Sequence, residues 1–75
     1  MAETGMNIRV LERSLAILAF MAEERRLIGV TEIAEATELS KSTVHRILST
    51  FREKNVVLRD ERGRYQVGPA VLLWA

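Results

Sequence analysis

The sequence predicts a mainly helical domain of the α+β class, with three helices, a β-hairpin and the start of a further helix. Three observations lead to this fold class. Apolar residues recur every three or four positions through most of the first 54 residues, which is the period of an amphipathic helix. After Asn55 the apolar period changes to two, which is typical of strands. A chain of 75 residues, 48% of them hydrophobic, is sufficient for one domain with one core.

The first helix is predicted from Ile8 to about Glu24, with apolar residues over much of its circumference. Arg25-Arg26 and Gly29 suit the negative end of this helix and its termination. The wide apolar surface has two open interpretations: a central core helix, or a core helix that also packs against a second subunit. The main apolar stripe is Ile8, Leu11, Leu15, Leu18 and Ala22, and it is widened by Val10, Ile17, Phe20 and Met21.

A short second helix and a longer third helix are predicted on either side of a tight turn. Thr31 is the expected N-cap of the second helix, which continues to Thr37. Ser40 is the expected N-cap of the third helix, which extends to about Lys54 and stops at Asn55. The third helix has one apolar face and one polar face. The apolar face consists of Val44, Ile47, Leu48 and Phe51, and the polar face consists of Lys41, Ser42, His45, Arg46 and Ser49.

Two short runs with a period of two, residues 56–59 and 64–67, predict a β-hairpin. Gly63 can supply the positive φ that a tight hairpin requires. The tip of the hairpin carries Arg59, Arg62 and Arg64. Pro69 then suits the first turn of a last helix over residues 70–75.

The composition excludes several classes of function. The chain has no cysteine, so disulfides and thiolate metal sites are absent. The N-terminus lacks the features of a secretion signal and no apolar run approaches ~20 residues, so we expect a cytoplasmic protein without a membrane partner. His45 is the single histidine, and neither further metal ligands nor a third group for a Ser42–His45 pair accompany it. We therefore predict no cofactor, no metal and no enzyme activity.

The predicted order of helix, helix, turn, helix and hairpin is the layout of a winged helix-turn-helix, in which the third helix fits the DNA major groove. Charge agrees with this, because residues 41–75 carry seven basic and three acidic side chains, whereas residues 1–40 carry four and seven. Hydroxyls and free N–H groups at the start of the third helix suit phosphates. His45 and Arg46, one turn further on, lie within reach of base edges, and the hairpin arginines suit the backbone or minor groove.

Several of these residues have a structural alternative. His45 also fits a solvated helix position, and Arg46 also fits an ion pair with Glu53 or Glu32. Tyr65 fits a core aromatic better than a base-stacking one. The domain as a whole has the alternative of a winged-helix module for protein–protein contact without DNA binding. Such modules tend to have an acidic or apolar third helix, so the basic, hydroxyl-rich face favours DNA.

Four segments of the chain resemble a known family in order and spacing. They are Leu-Glu-Arg-Ser-Leu-Ala-Ile-Leu at 11–18, Glu-Ile-Ala-Glu-Ala-Thr at 32–37, Leu-Ser-Lys-Ser-Thr-Val-His-Arg-Ile-Leu at 39–48 and Gly-Arg-Tyr-Gln-Val-Gly-Pro-Ala at 63–70. From Val10 to Trp74 the sequence is similar to the DNA-binding domain of IclR-type transcriptional regulators. Glu38 and Asn55 depart from the family pattern, which usually has glycine at both positions. Asn accepts a left-handed backbone readily, whereas Glu adopts it at a cost of roughly 1 kcal/mol.

The resemblance implies an organisation and a set of contacts. Residues 1–68 are expected to form the DNA-binding domain, and residues 69–75 to begin a linker helix to an effector-binding domain that is absent from this chain, through which a small molecule would act. A homodimer on a pseudo-palindromic operator in the bacterial or archaeal nucleoid is also expected. The expected DNA-binding residues are Thr31, Ser40, Lys41, Ser42, Thr43, His45, Arg46, Arg62 and Arg64. The expected dimer residues are Ile8, Val10, Ile17, Leu72 and Trp74.

Overall fold

The computed structural model of the chain describes the backbone of residues 4–74 and the side chains of residues 8–71. The helices are α1 (Thr4–Glu24), α2 (Val30–Thr37), α3 (Lys41–Glu53) and α4 (Pro69–Trp74), and the strands are β1 (Val57–Arg59) and β2 (Tyr65–Val67). The predicted winged helix-turn-helix is confirmed, because the order of elements is the expected one and the two strands pair antiparallel. Across residues 4–74, no helix has both the length and the apolar character needed to cross a membrane.

The core is formed by buried side chains from α1, α2, α3 and both strands, together with Ile28 and Val56 in the segments between them. Ile17 and Met21 contribute from α1, with 0% and 1% of their surfaces exposed. The other buried hydrophobic residues are Ile28, Ile33, Ala34, Val44, Leu48, Val56, Val57 and Tyr65. Of the main stripe expected on α1, only Leu18 packs against this core, so the stripe as a whole is not the core face of the helix. Leu11 and Leu15 remain 57% and 55% exposed, because the helix turns the Ile17–Met21 side towards α2 and β2.

The first helix ends at Glu24 as expected, but the second helix begins at a different residue from the one expected. Arg25 takes a left-handed φ of 53° after α1, and its N–H donates to the Met21 carbonyl oxygen at 3.1 Å. The N-cap of α2 is Gly29, so the expectation of Thr31 was wrong. The reason is that Ile28 is held next to β2, where its N–H and carbonyl exchange 2.8 Å hydrogen bonds with Tyr65. Because Ile28 is held in this position, α2 begins directly after it, with Gly29 as its N-cap.

A second link across this junction is ionic. The Arg26 guanidinium donates to the carboxylates of Glu24, at the end of α1, and Glu32, in the first turn of α2. Its hydrogen bonds with Glu32 and Glu24 raise the pKa of Arg26, and the same contact with Arg26 lowers the pKa of Glu32. Arg26 thus links the start of α2 to the end of α1, and the exposure of these side chains keeps the contribution to stability small.

The turn between α2 and α3 has the geometry expected from its sequence. Glu38 takes a left-handed conformation, with φ 58° and ψ 36°, and the next N–H, that of Leu39, donates to the Ala34 carbonyl oxygen at 3.1 Å. Ser40 is the N-cap of α3, where its hydroxyl oxygen accepts the Thr43 N–H at 3.2 Å. After α3, Asn55 takes a φ of 62° and ends the helix. The left-handed backbone expected at both positions is confirmed.

The hairpin packs against the end of α3 through a close backbone contact. The register pairs Val57 with Val67, and Gly63 in the turn has a φ of 77°. At the end of the hairpin the Gly68 N–H donates to the Val56 carbonyl oxygen at 2.7 Å. A Cβ at residue 68 would lie 2.5 Å from the Asn55 carbonyl oxygen, so only glycine fits there. This contact fixes the direction in which the hairpin projects from α3.

Candidate nucleic-acid interface

The polar face of α3 lies on the surface, as its period predicts. Lys41, Ser42, His45, Arg46 and Ser49 are exposed, while Val44 and Leu48 on the opposite face are completely buried. Within residues 8–71, the side chains of Lys41, His45 and Arg46 form neither a hydrogen bond nor an ion pair. The alternative that Arg46 pairs with Glu53 or Glu32 is not observed, and Glu32 is bound by Arg26 instead. This face therefore offers cations and hydroxyls that are available to a ligand.

The N-terminus of α3 has a compact group of hydroxyls. The Ser40 hydroxyl donates to Thr43 Oγ1 at 2.9 Å while it accepts the Thr43 N–H, and it lies 3.3 Å from Ser42 Oγ. Ser40 is thus occupied by capping, and Thr43 is half-buried beside it. Lys41 and Ser42 are the more accessible members of the group. Thr31 is exposed in the first turn of α2, so its hydroxyl also belongs to the surface.

The polar face of α3 is bordered by two other parts of the fold. Ser49 and Arg52 line a shallow cavity with Tyr65 on the side of the hairpin. On the other side, Arg46 and Thr43 face a groove whose opposite wall is α1. Tyr65 itself is 5% exposed and packs in the core, so the expectation of a core aromatic is confirmed.

The hairpin tip is organised by Asp60, a residue that the sequence patterns did not single out. Its Oδ1 accepts the N–H groups of Arg62 and Arg64 at 3.0 and 2.8 Å, and its Oδ2 accepts from the Arg64 guanidinium at 2.8 and 2.9 Å. The Arg64 N–H and guanidinium, with the Arg62 N–H, lower the pKa of Asp60. The Asp60–Arg64 spacing of four residues across a glycine turn is the sequence signal that could have revealed this arrangement.

The arginines of the tip consequently differ in what they can offer. Arg64 is held by Asp60, whereas Arg62 is exposed and its side chain makes no ion pair with any described residue. Arg59, which was not among the expected DNA-binding residues, lies over the turn: its Nη2 is 3.4 Å from the position that a Cβ on Gly63 would occupy. Arg59 and Arg62 are therefore the two tip cations without a counterion in the part of the chain that the structure describes.

The expected dimer residues fall into three groups. Ile8 and Val10 are 54% and 51% exposed, so their side chains are available on α1. Ile17 is a correction: it is fully buried within the chain because it faces the core, and it has no surface to offer a partner. The side chains of Leu72 and Trp74 lie outside the described residues. The exposed apolar surface of α1 also includes Leu11 and Leu15, which we call, together with Ile8, the outer stripe of α1.

Comparisons with known proteins agree on one family. Residues 10–61 match the family model of the IclR helix-turn-helix domain. The chain is 40% identical over 67 residues to the glycerol operon regulatory protein of Streptomyces coelicolor, which covers 88% of this chain and 26% of that protein. It is 39% identical over 69 residues to the HTH-type transcriptional regulator BhcR of Paracoccus denitrificans, which covers 91% and 24%.

A solved structure shows the same fold. The IclR of Thermotoga maritima matches with a TM-score of 0.81 at 28% identity, over 89% of this chain and 27% of that chain. The chain therefore spans about a quarter of the length of the curated relatives that it matches. Both of those relatives are regulatory proteins.

Proposed function

The chain belongs to the IclR family of transcriptional regulators and matches the helix-turn-helix domain of that family. We propose that α3 reads a DNA duplex from the major groove. The observation that carries this proposal is the division of α3 into two faces. Val44 and Leu48 are fully buried, so the helix is fixed on the core. Its opposite face presents Lys41, His45 and Arg46 without a counterion among the described residues. A rigid helix with such a face has the charge and the shape that the major groove accepts.

The surrounding residues divide into two proposed roles. Lys41 and Ser42 lie in the first turn of α3, where hydroxyls, a cation and the positive end of the helix dipole suit phosphates; Ser40 and Thr43 shape this turn, and Thr31 stands at the corresponding end of α2. His45 and Arg46 lie one turn deeper and are proposed to contact base edges. At the hairpin tip, Arg62 is proposed to contact the DNA backbone or minor groove, while Arg64 fixes the shape of the tip through Asp60.

A larger assembly is proposed around this domain. We propose that residues 1–68 form the DNA-binding domain and that α4 begins a linker to an effector-binding domain of the full regulator, which a small molecule would control. The outer stripe of α1 supports a two-fold dimer, because three large apolar side chains on one helix face are more than half exposed. Such a dimer would read a pseudo-palindromic operator on the chromosome, in the cytoplasm.

The test of DNA binding is selection of bound duplexes from a random pool with the 75-residue chain, followed by titration of the selected and a scrambled duplex at several salt concentrations. We expect a preferred sequence and a binding constant that falls linearly with salt on logarithmic axes. A chain with no duplex affinity at low salt would instead indicate the protein–protein module. A chain that binds both duplexes equally would contradict readout of bases by α3.

A further inference from the structure

The groove between α1 and α3 combines an apolar lining with two basic side chains. Its volume is about 320 Å³, and its lining includes the apolar side chains of Val10, Ile47 and Phe51. Two arginines line it from opposite walls, Arg13 on α1 and Arg46 on α3. Sequence patterns assigned no role to Arg13, because it lies among the apolar residues of α1 and belongs to no DNA-binding element.

The polar groups that line this groove differ in whether they are already satisfied. The Ser14 hydroxyl donates to the Val10 carbonyl oxygen at 2.8 Å, and the Thr50 hydroxyl donates to the Arg46 carbonyl oxygen at 3.3 Å. The guanidinium groups of Arg13 and Arg46 have neither a hydrogen bond nor an ion pair with any of residues 8–71. Two unpaired cations that line one partly apolar groove make it locally positive, which favours an anion between or beside them. The groove is therefore complementary to a negative group.

We propose that Arg13 binds a backbone phosphate of the DNA at the α1 side of the recognition helix. This proposal rests on the proposed function. A helix inserted into the major groove, which is about 12 Å wide, has a phosphate strand on each side. On the hairpin side, Arg59 and Arg62 are available to one strand. On the other side, Arg13 lies across the groove from Arg46, so it is the cation of α1 that borders the same surface.

The first experiment compares Arg13→Ala with Arg9→Ala in the 75-residue chain. Arg9 is an exposed arginine one turn earlier on α1 that does not line the groove, so it controls for the loss of one positive charge. One phosphate contact releases about 0.9 counterion, so Arg13→Ala should bind about eightfold more weakly at ~0.1 M salt, with a salt slope shallower by about one unit. The loss should be equal on the selected and scrambled duplexes. Arg9→Ala should lose less than about twofold. Equal effects of the two substitutions would overturn the proposal.

The second experiment identifies the partner of Arg13 directly. Duplexes that each carry one neutral methylphosphonate are titrated against the wild type and Arg13→Gln. The proposal expects one position at which the neutral linkage weakens the wild type but leaves Arg13→Gln unchanged, because the same contact is already lost. Parallel losses at every position would overturn it. Binding of inorganic phosphate that needs Arg13, with no such position, would assign the groove to a free anion instead.

The outcomes also separate this proposal from the one on which it rests. If Lys41→Ala weakens duplex binding while Arg13→Ala behaves as Arg9→Ala, DNA binding by α3 stands and the Arg13 contact fails. If the wild type has no duplex affinity, both proposals fail. Sedimentation of Arg13→Ala completes the test, because a weaker self-association with unchanged DNA affinity would assign the groove to a second copy of the chain. The helical signal in circular dichroism should be unchanged in each variant, since Arg13 is exposed.

Discussion

Asp60 shows how one side chain determines the shape of the hairpin tip. It accepts two backbone N–H groups and the guanidinium of Arg64, so it closes the turn and fixes one of the three tip arginines. Its contacts with Arg64 and Arg62 lower its pKa below the ordinary value, which is about 3.9 for an aspartate. A carboxyl group with a depressed pKa stabilises the fold fully above that ordinary value. The stabilisation is lost as the pH falls from about 4 through the lower pKa of the folded state.

We therefore predict that Asp60→Ala loosens the tip while the rest of the domain stays folded. Amide hydrogen exchange at Arg62 and Arg64, measured by NMR, should become faster in the variant because both N–H groups lose their acceptor. Urea unfolding at a series of pH values should show a shallower decline below about pH 4 than in the wild type. Glu61→Ala is the control, as an acidic residue of the same turn without such contacts in the described structure. Unchanged exchange at both amides would contradict this role.

Gly68 gives a second prediction at the scale of one residue. A Cβ there would lie 2.5 Å from the Asn55 carbonyl oxygen, and backbone cannot move away as a flexible side chain can. Gly68→Ala should lower the free energy of unfolding by about 1–3 kcal/mol, which urea titration can measure. The control is Gly29→Ser, because nothing lies within 4 Å of a Cβ at that position and serine is a favoured N-cap. We expect Gly29→Ser to be neutral or stabilising, and an equal loss in both variants would exclude the contact as the cause.

Single residues also show which local features a sequence can predict. The left-handed backbone at Glu38 and Asn55 was predictable because the family pattern has glycine there and the apolar periods place a turn at each. The N-cap of α2 was not, since Thr31 is the better capping side chain. The hydrogen bonds between Ile28 and Tyr65, which are 37 residues apart in sequence number, start the helix at Gly29 instead. The long-range contact of Ile28 therefore outweighs the local capping propensity of Thr31.

At the scale of elements, α3 and α1 differ in how well their faces could be predicted. The apolar residues of α3 occupy one face only, so the period alone identified the core side and the exposed polar side. The apolar residues of α1 cover several faces, and the period allows more than one orientation. Packing against α2 and β2 selects Ile17 and Met21, and this leaves the outer stripe exposed. The groove beside Arg13 follows from that choice and could not be predicted from the spacing in α1.

The prediction for α3 distinguishes its start from its middle. Lys41→Ala should weaken binding to every duplex and reduce the salt slope by about one unit, because Lys41 lies in the first turn near phosphates. Arg46→Ala should cost about 1–3 kcal/mol on the selected duplex and relax the preference at one base pair. Titration of both variants against selected and scrambled duplexes measures the difference. Equal losses for Arg46→Ala on the two duplexes would make Arg46 a phosphate contact, together with Arg13.

At the scale of the whole molecule, two apolar surfaces have different consequences. The core joins all elements and explains why the domain folds as one unit. The outer stripe of α1 contributes nothing to that core, since Ile8, Leu11 and Leu15 are each more than half exposed. The sequence predicted excess apolar surface on α1 but included Ile17 in it, because burial within the chain and burial by a partner produce the same hydrophobic pattern. Only the position of the residue in the fold separates the two.

We predict that the outer stripe holds two copies together and sets the spacing of their recognition helices. Full burial of one leucine side chain is worth roughly 1.5–3 kcal/mol, so Leu11→Glu or Leu15→Glu should weaken self-association at least about tenfold in sedimentation equilibrium. The control is Leu58→Glu, at an exposed leucine of β1 with 41% exposure, which should leave association unchanged. The wild type should bind adjacent half-sites one helical turn apart more tightly than single ones, and five extra base pairs between them should remove that advantage because they place the half-sites on opposite sides of the duplex. Dimers that persist in Leu11→Glu and Leu15→Glu would exclude this face of α1 as the interface.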